Sequence, residues 1–93
     1  MSNQSDKIAK KLLLNLNRKE FKITYEGENY LFAEPSLEEV IELQESGDIK
    51  DAYKVCKARQ LEGNDLETLG ASTQVYIINK YIEWVAKIMN KVL

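Results

Sequence analysis

Residues 21–35 read FKITYEGENYLFAEP, and this stretch decides the fold. Large apolar residues alternate with polar ones on both sides of a glycine, the period-2 pattern of a β-hairpin with one buried face. Take Gly27 and Glu28 as the two central turn residues, glycine first as a type II′ turn needs. Tyr25 then faces Tyr30 and Ile23 faces Phe32, with Phe21 on the same side. Lys22, Thr24 and Leu31 take the opposite side. A slip of one residue would scatter the aromatic set, so the pattern is expected to select its own register. A lone hairpin is marginal in water, so that face must pack on helices.

Downstream, Pro35 ends the second strand because it has no N–H to give a sheet. SLEEV (36–40) opens a helix with Ser36 as N-cap and Glu39 reaching back to the N–H of the cap. Leu37, Val40 and Ile41 are expected inside, with Glu38, Glu42 and Glu45 outside, and Gly47 closing the helix in a left-handed conformation. Asp48 starts a second helix over DIKDAYKVCKARQLEG (48–63), with Ile49, Ala52, Tyr53, Cys56 and Leu61 near one side and Gly63 at its end. NDLETLGAS (64–72) reads as a loop or a single helical turn, and Ser72 or Thr73 caps a last helix that runs to the terminus. Upstream, Ser5 caps a helix over 6–16 with Ile8, Leu12, Leu13 and Leu16 as a narrow apolar stripe, and residues 1–4 read as disordered. The expected fold is α+β, mainly α, in a single domain over 1–93. It comprises an N-terminal helix, one hairpin over 20–34, and a compact body of three to four helices over 36–93 ending in a long C-terminal helix.

The last helix, QVYIINKYIEWVAKIMNKVL (74–93), carries two apolar stripes. Val75, Ile78, Ile82, Val85, Met89 and Val92 recur in steps of three and four, the spacing of a coiled-coil seam. Ile77, Tyr81, Trp84 and Ile88 form a second stripe beside it. At about 100° per residue the two cover an arc of roughly 160°, where a helix on a single layer needs only about 100°. The excess has two uses. Either the helix is clasped between the aromatic face of the hairpin and the shorter helices, or one stripe faces the core and the other meets a second protein. On the latter reading Ile77, Tyr81, Trp84 and Ile88 are the candidate partner-binding residues, since tyrosine and tryptophan are favoured in interface cores. The outcome would be a homo-oligomer or a groove for a partner helix.

Composition limits the chemistry. The chain has no histidine, which removes the commonest general base and the commonest zinc ligand. Cys56 is the one cysteine, sits among apolar helix positions and reads as a buried structural thiol; its lack of a pairing partner suits a reducing cytoplasm. Glu38, Glu42 and Glu45 share a helix face, where carboxylates are ordinarily solvated rather than metal-bound or catalytic. The four glycines are dispersed at turn positions, so no phosphate-binding loop is formed. The expectation is a protein with no catalytic residues, no cofactor and no metal.

Charge is segregated. Residues 1–22 hold six Lys/Arg against two acids, whereas 26–48 hold eight acids and no base. An acidic field of that kind repels phosphate backbones and favours a basic partner. The basic clusters KIAKK (7–11) and NRKEFK (17–22) lack the interleaved aromatics of a nucleic-acid platform, and the basic helix is short for a membrane anchor. No signal-peptide core is present, and Lys80, Glu83, Lys87 and Lys91 interrupt the longest apolar region, so a cytoplasmic protein is expected.

With these elements laid out, FKITYEGENYLFAEPSLEEVIELQESGD (21–48) resembles the tail assembly chaperones of long-tailed bacteriophages and prophages. Those often show a short aromatic hairpin, a Pro-Ser or Pro-Thr junction and a helical body; the likeness covers about residues 20–50. The resemblance implies a non-enzymatic role in the bacterial cytoplasm, coating the helical tape-measure protein and helping to recruit tail-tube subunits. Two other roles fit the residues. One is an acidic phage-encoded inhibitor of a basic nucleic-acid-binding protein, an anti-defence factor presenting Glu38, Glu42 and Glu45. The other is a ring-forming head–tail connector component.

Overall fold

The computed structural model describes the backbone of residues 18–92 and the side chains of residues 18–90. The expected helix over 6–16 and the expected disorder of 1–4 lie outside the described residues. In chain order the elements are β1 (Glu20–Tyr25), β2 (Glu28–Ala33), α1 (Leu37–Ser46), α2 (Ile49–Ala58), β3 (Gln60–Glu62), a 3-10 turn (Leu66–Thr68) and α3 (Ala71–Val92). The fold is mixed α+β: a hairpin sheet, then three helices, the last one long.

The hairpin forms with a different turn from the one expected. Tyr25 pairs with Glu28, Ile23 with Tyr30 and Phe21 with Phe32, so Glu26 and Gly27 are the central residues. Both have positive φ, 50° and 81°, as a type I′ turn requires. Glycine takes the second of the two left-handed positions, and Glu26 tolerates the first. The register is therefore displaced by two residues from the type II′ expectation. A shift of two preserves the face, so Phe21, Ile23, Tyr25, Tyr30 and Phe32 still lie on one side.

β3 is a strand where the sequence reads as helix. α2 ends at Ala58, and the Arg59 N–H is shared among carbonyls of its last turn. The chain then extends: Ala33 N–H donates to Arg59 O at 2.9 Å, and Phe32 and Leu31 pair with Gln60 and Glu62. Gln60 holds the following loop, donating from Nε2 to Asn64 O (2.7 Å) while Oε1 accepts from Leu66 N–H (3.1 Å). The run KARQLE has good helix propensity, but the open edge of β2 offers it a hydrogen-bonded ladder instead. Leu61 is buried from this strand rather than from a helix.

The local helix signals hold on α1 and α2. Ser36 Oγ accepts from Glu39 N–H, Glu39 Oε1 accepts from Ser36 N–H at 2.8 Å, and Gly47 closes α1 at φ 60°. Asp48 caps α2 through Lys50 N–H. On α3 the first turn is closed by Gln74 N–H to Gly70 O (3.0 Å), so Ser72 and Thr73 lie inside the helix and not at its cap.

α3 crosses the aromatic face of the sheet antiparallel to β1. Phe21 stacks on Trp84 (centroids 4.9 Å apart, planes 8° apart), and Tyr25 meets Tyr76 at 4.2 Å. The lengths match: four strand residues span about 13 Å and eight helical residues about 12 Å. Between these pairs Phe32 packs on Tyr81, whose hydroxyl donates to the buried Ala33 carbonyl at 2.8 Å. The adjoining face of α3 meets α1 and α2 through Val40, Ala52, Val55, Cys56, Ile78 and Val85, and Leu66 closes the same core.

Candidate functional site

The stripe expected to meet a partner lies inside. Ile77 and Tyr81 are 0% exposed, Ile88 is 7% exposed and Trp84 is half-buried under the Phe21 ring. The reason is the double layer around α3: the sheet takes this stripe while α1 and α2 take Ile78 and Val85. Of the two uses open to a wide apolar arc, the clasp accounts for Ile77, Tyr81 and Trp84. Ile77 and Tyr81 therefore offer no free surface on the protomer, and Trp84 keeps only part of its ring exposed.

Among the described residues, what stays open is the edge between the two layers. α1 and α2 do not reach the outer flank of α3, and an apolar groove of about 600 Å³ remains there. Leu43, Ile49, Ala52, Ile78, Ile82 and Ala86 supply its apolar lining. A second depression of about 200 Å³ follows along α3, lined by Val40, Gln44, Val85, Met89 and Asn90, and it shares Leu43, Ile82 and Ala86 with the first. The two make one trough, with half-buried Leu43, Ile82 and Met89 presenting apolar surface to solvent.

Among the described residues four large apolar side chains stand exposed: Leu37 at 71%, Ile49 at 53%, Ile41 at 44% and Val75 at 43%. The inward placement of Leu37, Ile41 and Ile49 is thereby corrected. Ile49 itself lines the groove, and Val75 precedes Ile78 by one turn on the groove side of α3. On α1, Leu37 and Ile41 lie on the flank that also carries Gln44, beside the trough. The signal was present in the sequence. Leu43, Val40, Leu37 and Ile41 fan over roughly 160° of a ten-residue helix, the same excess that the last helix carries.

Charge around the trough is one-sided. Asp48 and Glu83 line it, and among the described residues no lysine or arginine does. Glu38, Glu42 and Glu45 are exposed along α1. α1 has no basic residue in its last turn, but α2 begins three residues after it ends, so the N-terminus of α2 offsets the partial negative charge of the α1 carbonyls.

The ionisable groups elsewhere serve structure. Glu39 Oε1 accepts from Arg59 Nε at 2.9 Å as well as from Ser36 N–H, which ties the start of α1 to the end of α2. Burial pushes the Glu39 carboxyl up, but the Arg59 and Ser36 hydrogen bonds and the Arg59 charge outweigh it and hold the group below its ordinary value. Burial pushes the Cys56 thiol up to about 12, so it carries no thiolate at neutral pH. Burial likewise raises Tyr81, which acts as a hydrogen-bond donor and not as an acid. Among the described residues no three His, Cys, Asp or Glu side chains group so as to hold a metal ion, and no helix is long and apolar enough to cross a membrane. No protein-family model, curated protein or solved structure matches the chain significantly.

Proposed function

We propose that this protein acts by contact and not by catalysis, holding an amphipathic helix of another protein in the trough between α3 and the α1–α2 corner. The observation that carries the reading is the trough itself. Among the described residues, Leu43, Ile49, Ile82, Ala86 and Met89 leave an open apolar path beside α3. Helix-in-groove recognition uses such a path, with side chains at i, i+3, i+4 and i+7 as anchors. Joined to the resemblance carried by residues 20–50, this supports a tail assembly chaperone working in the bacterial cytoplasm, with the helical tape-measure protein as its client. The contact surface in this proposal is the Ile82–Ala86–Met89 flank, in place of Ile77, Tyr81, Trp84 and Ile88.

Co-expression with a helix-rich tape-measure segment tests it. The segment should become more soluble with the native protein and not with Ala86→Asp, which puts a charge on the exposed wall of the trough. Equal solubility with and without the protein would remove the chaperone role.

A second reading rests on the exposed Glu38, Glu42 and Glu45 and on a stretch of 23 residues (26–48) without a base. Here the acidic α1 surface occupies the basic site of a nucleic-acid-binding protein. That complex should weaken steeply between low and high salt, whereas a groove complex built on apolar contact should not.

A further inference from the structure

The trough has a polarity that specifies its occupant further, on the premise that it docks a helix. Along α3 it runs from Ile78 to Asn90, twelve helical rises, or about 18 Å. That length takes about three turns of a partner helix. Ala86 sits near the middle, shared by both halves, and its small side chain lets a second helix approach closely.

The two ends differ. At one, Gly47 brings the carbonyl end of α1, Asp48 and Glu83 into the lining. At the other, the polar lining is Gln44 and Asn90, both uncharged. The nearby cations, Lys50 beside the Asp48 cap and Lys87 one turn beyond Glu83, are exposed and do not line the trough. The carboxylates of Asp48 and Glu83 at one end, with no cation in the lining among the described residues, favour a positive group there; the two helix termini at this corner, the end of α1 and the start of α2, offset each other.

We infer that the occupant is an amphipathic helix of about three turns from a partner protein, carrying leucine- or methionine-sized anchors against Leu43, Ile82, Ala86 and Met89 and a lysine or arginine at the end that meets Asp48 and Glu83. The apolar anchors supply attachment, and the terminal cation fixes which way the helix lies.

Two synthetic helical peptides test this. Both carry the same apolar face; one ends in two lysines and the other in two glutamates. Each is titrated into the full chain by calorimetry, with methyl NMR of Ile82 and Ala86 locating the site. The lysine peptide should bind roughly three- to tenfold tighter at low salt. Glu83→Lys should erase that preference, and Ala86→Asp should abolish binding of both peptides with the melting curve kept. Equal binding of the two peptides, unchanged by Glu83→Lys, would overturn the cation assignment and leave the docking reading standing. Binding of neither peptide, or binding untouched by Ala86→Asp, would overturn the docking reading itself. Two further outcomes displace the partner helix as occupant. A gain in peptide affinity when Leu12 and Leu13 are both made aspartate in the full chain would assign the trough to this chain's own N-terminal segment. Competition between peptide and self-association in sedimentation would assign it to a second copy.

Discussion

The Tyr81 hydroxyl donates a 2.8 Å hydrogen bond to the Ala33 carbonyl, joining the middle of α3 to the last residue of β2 across 48 positions of sequence. Both residues are fully buried. Tyr81→Phe keeps the ring against Phe32 but strands that carbonyl away from water. The expected loss is about 1–3 kcal/mol, read from urea unfolding with the slope unchanged.

Ile77 and Ala86 sit on the same helix but should respond in opposite ways. Ile77 is fully enclosed, so Ile77→Ala leaves a cavity and should cost about 2–5 kcal/mol. Ala86 faces solvent, and Ala86→Asp should cost less than about 1 kcal/mol, mostly helix propensity. Comparable losses at both positions would mean that Ala86 is as enclosed as Ile77.

Glu39 sets an acid dependence. Its folded value is lowered, so the stability it contributes is complete above its ordinary value near 4.5 and is lost as pH falls through the lowered folded value. Native protein should exceed Glu39→Gln in melting temperature at pH 6, and the gap should shrink only below about pH 4.5. A gap that stays constant down to pH 2.5 would exclude the Arg59 pair as its source.

Cys56 is a probe of opening. It is fully buried, with its thiol pushed up to about 12. Alkylation at pH 8 should proceed at the rate of global or subglobal unfolding and should accelerate with urea. Modification as fast as that of a free thiol would contradict its place between α2 and α3.

Gly63 is the glycine least open to change. It has φ +106°, and an added Cβ would come within 2.6 Å of the Asn29 carbonyl oxygen and 3.0 Å of the Tyr30 ring. Gly63→Ala should therefore destabilise the β2–β3 edge by more than Gly47→Ala, where φ is +60° and the space is open. Amide exchange at Leu31 and Phe32 should rise with it.

The sequence by itself determined the features that act over a few residues. The aromatic face of the hairpin followed from its alternation, the α1 start from Ser36 and Glu39, and the α1 stop from Gly47. It also showed that α3 carries more apolar surface than a single layer can cover. Tertiary structure alone decided the rest. Whether Glu26–Gly27 or Gly27–Glu28 forms the turn depends on two-residue geometry that both dipeptides nearly satisfy, and packing of Phe21 on Trp84 and Tyr25 on Tyr76 accompanies the observed choice. β3 exists because β2 had a free edge within reach, which no propensity of residues 60–62 encodes. Which flank of α3 stays uncovered was fixed by where two short helices stop beside it. A helical period records how wide an apolar face is; only the position of neighbouring layers records which part of that face is left to water.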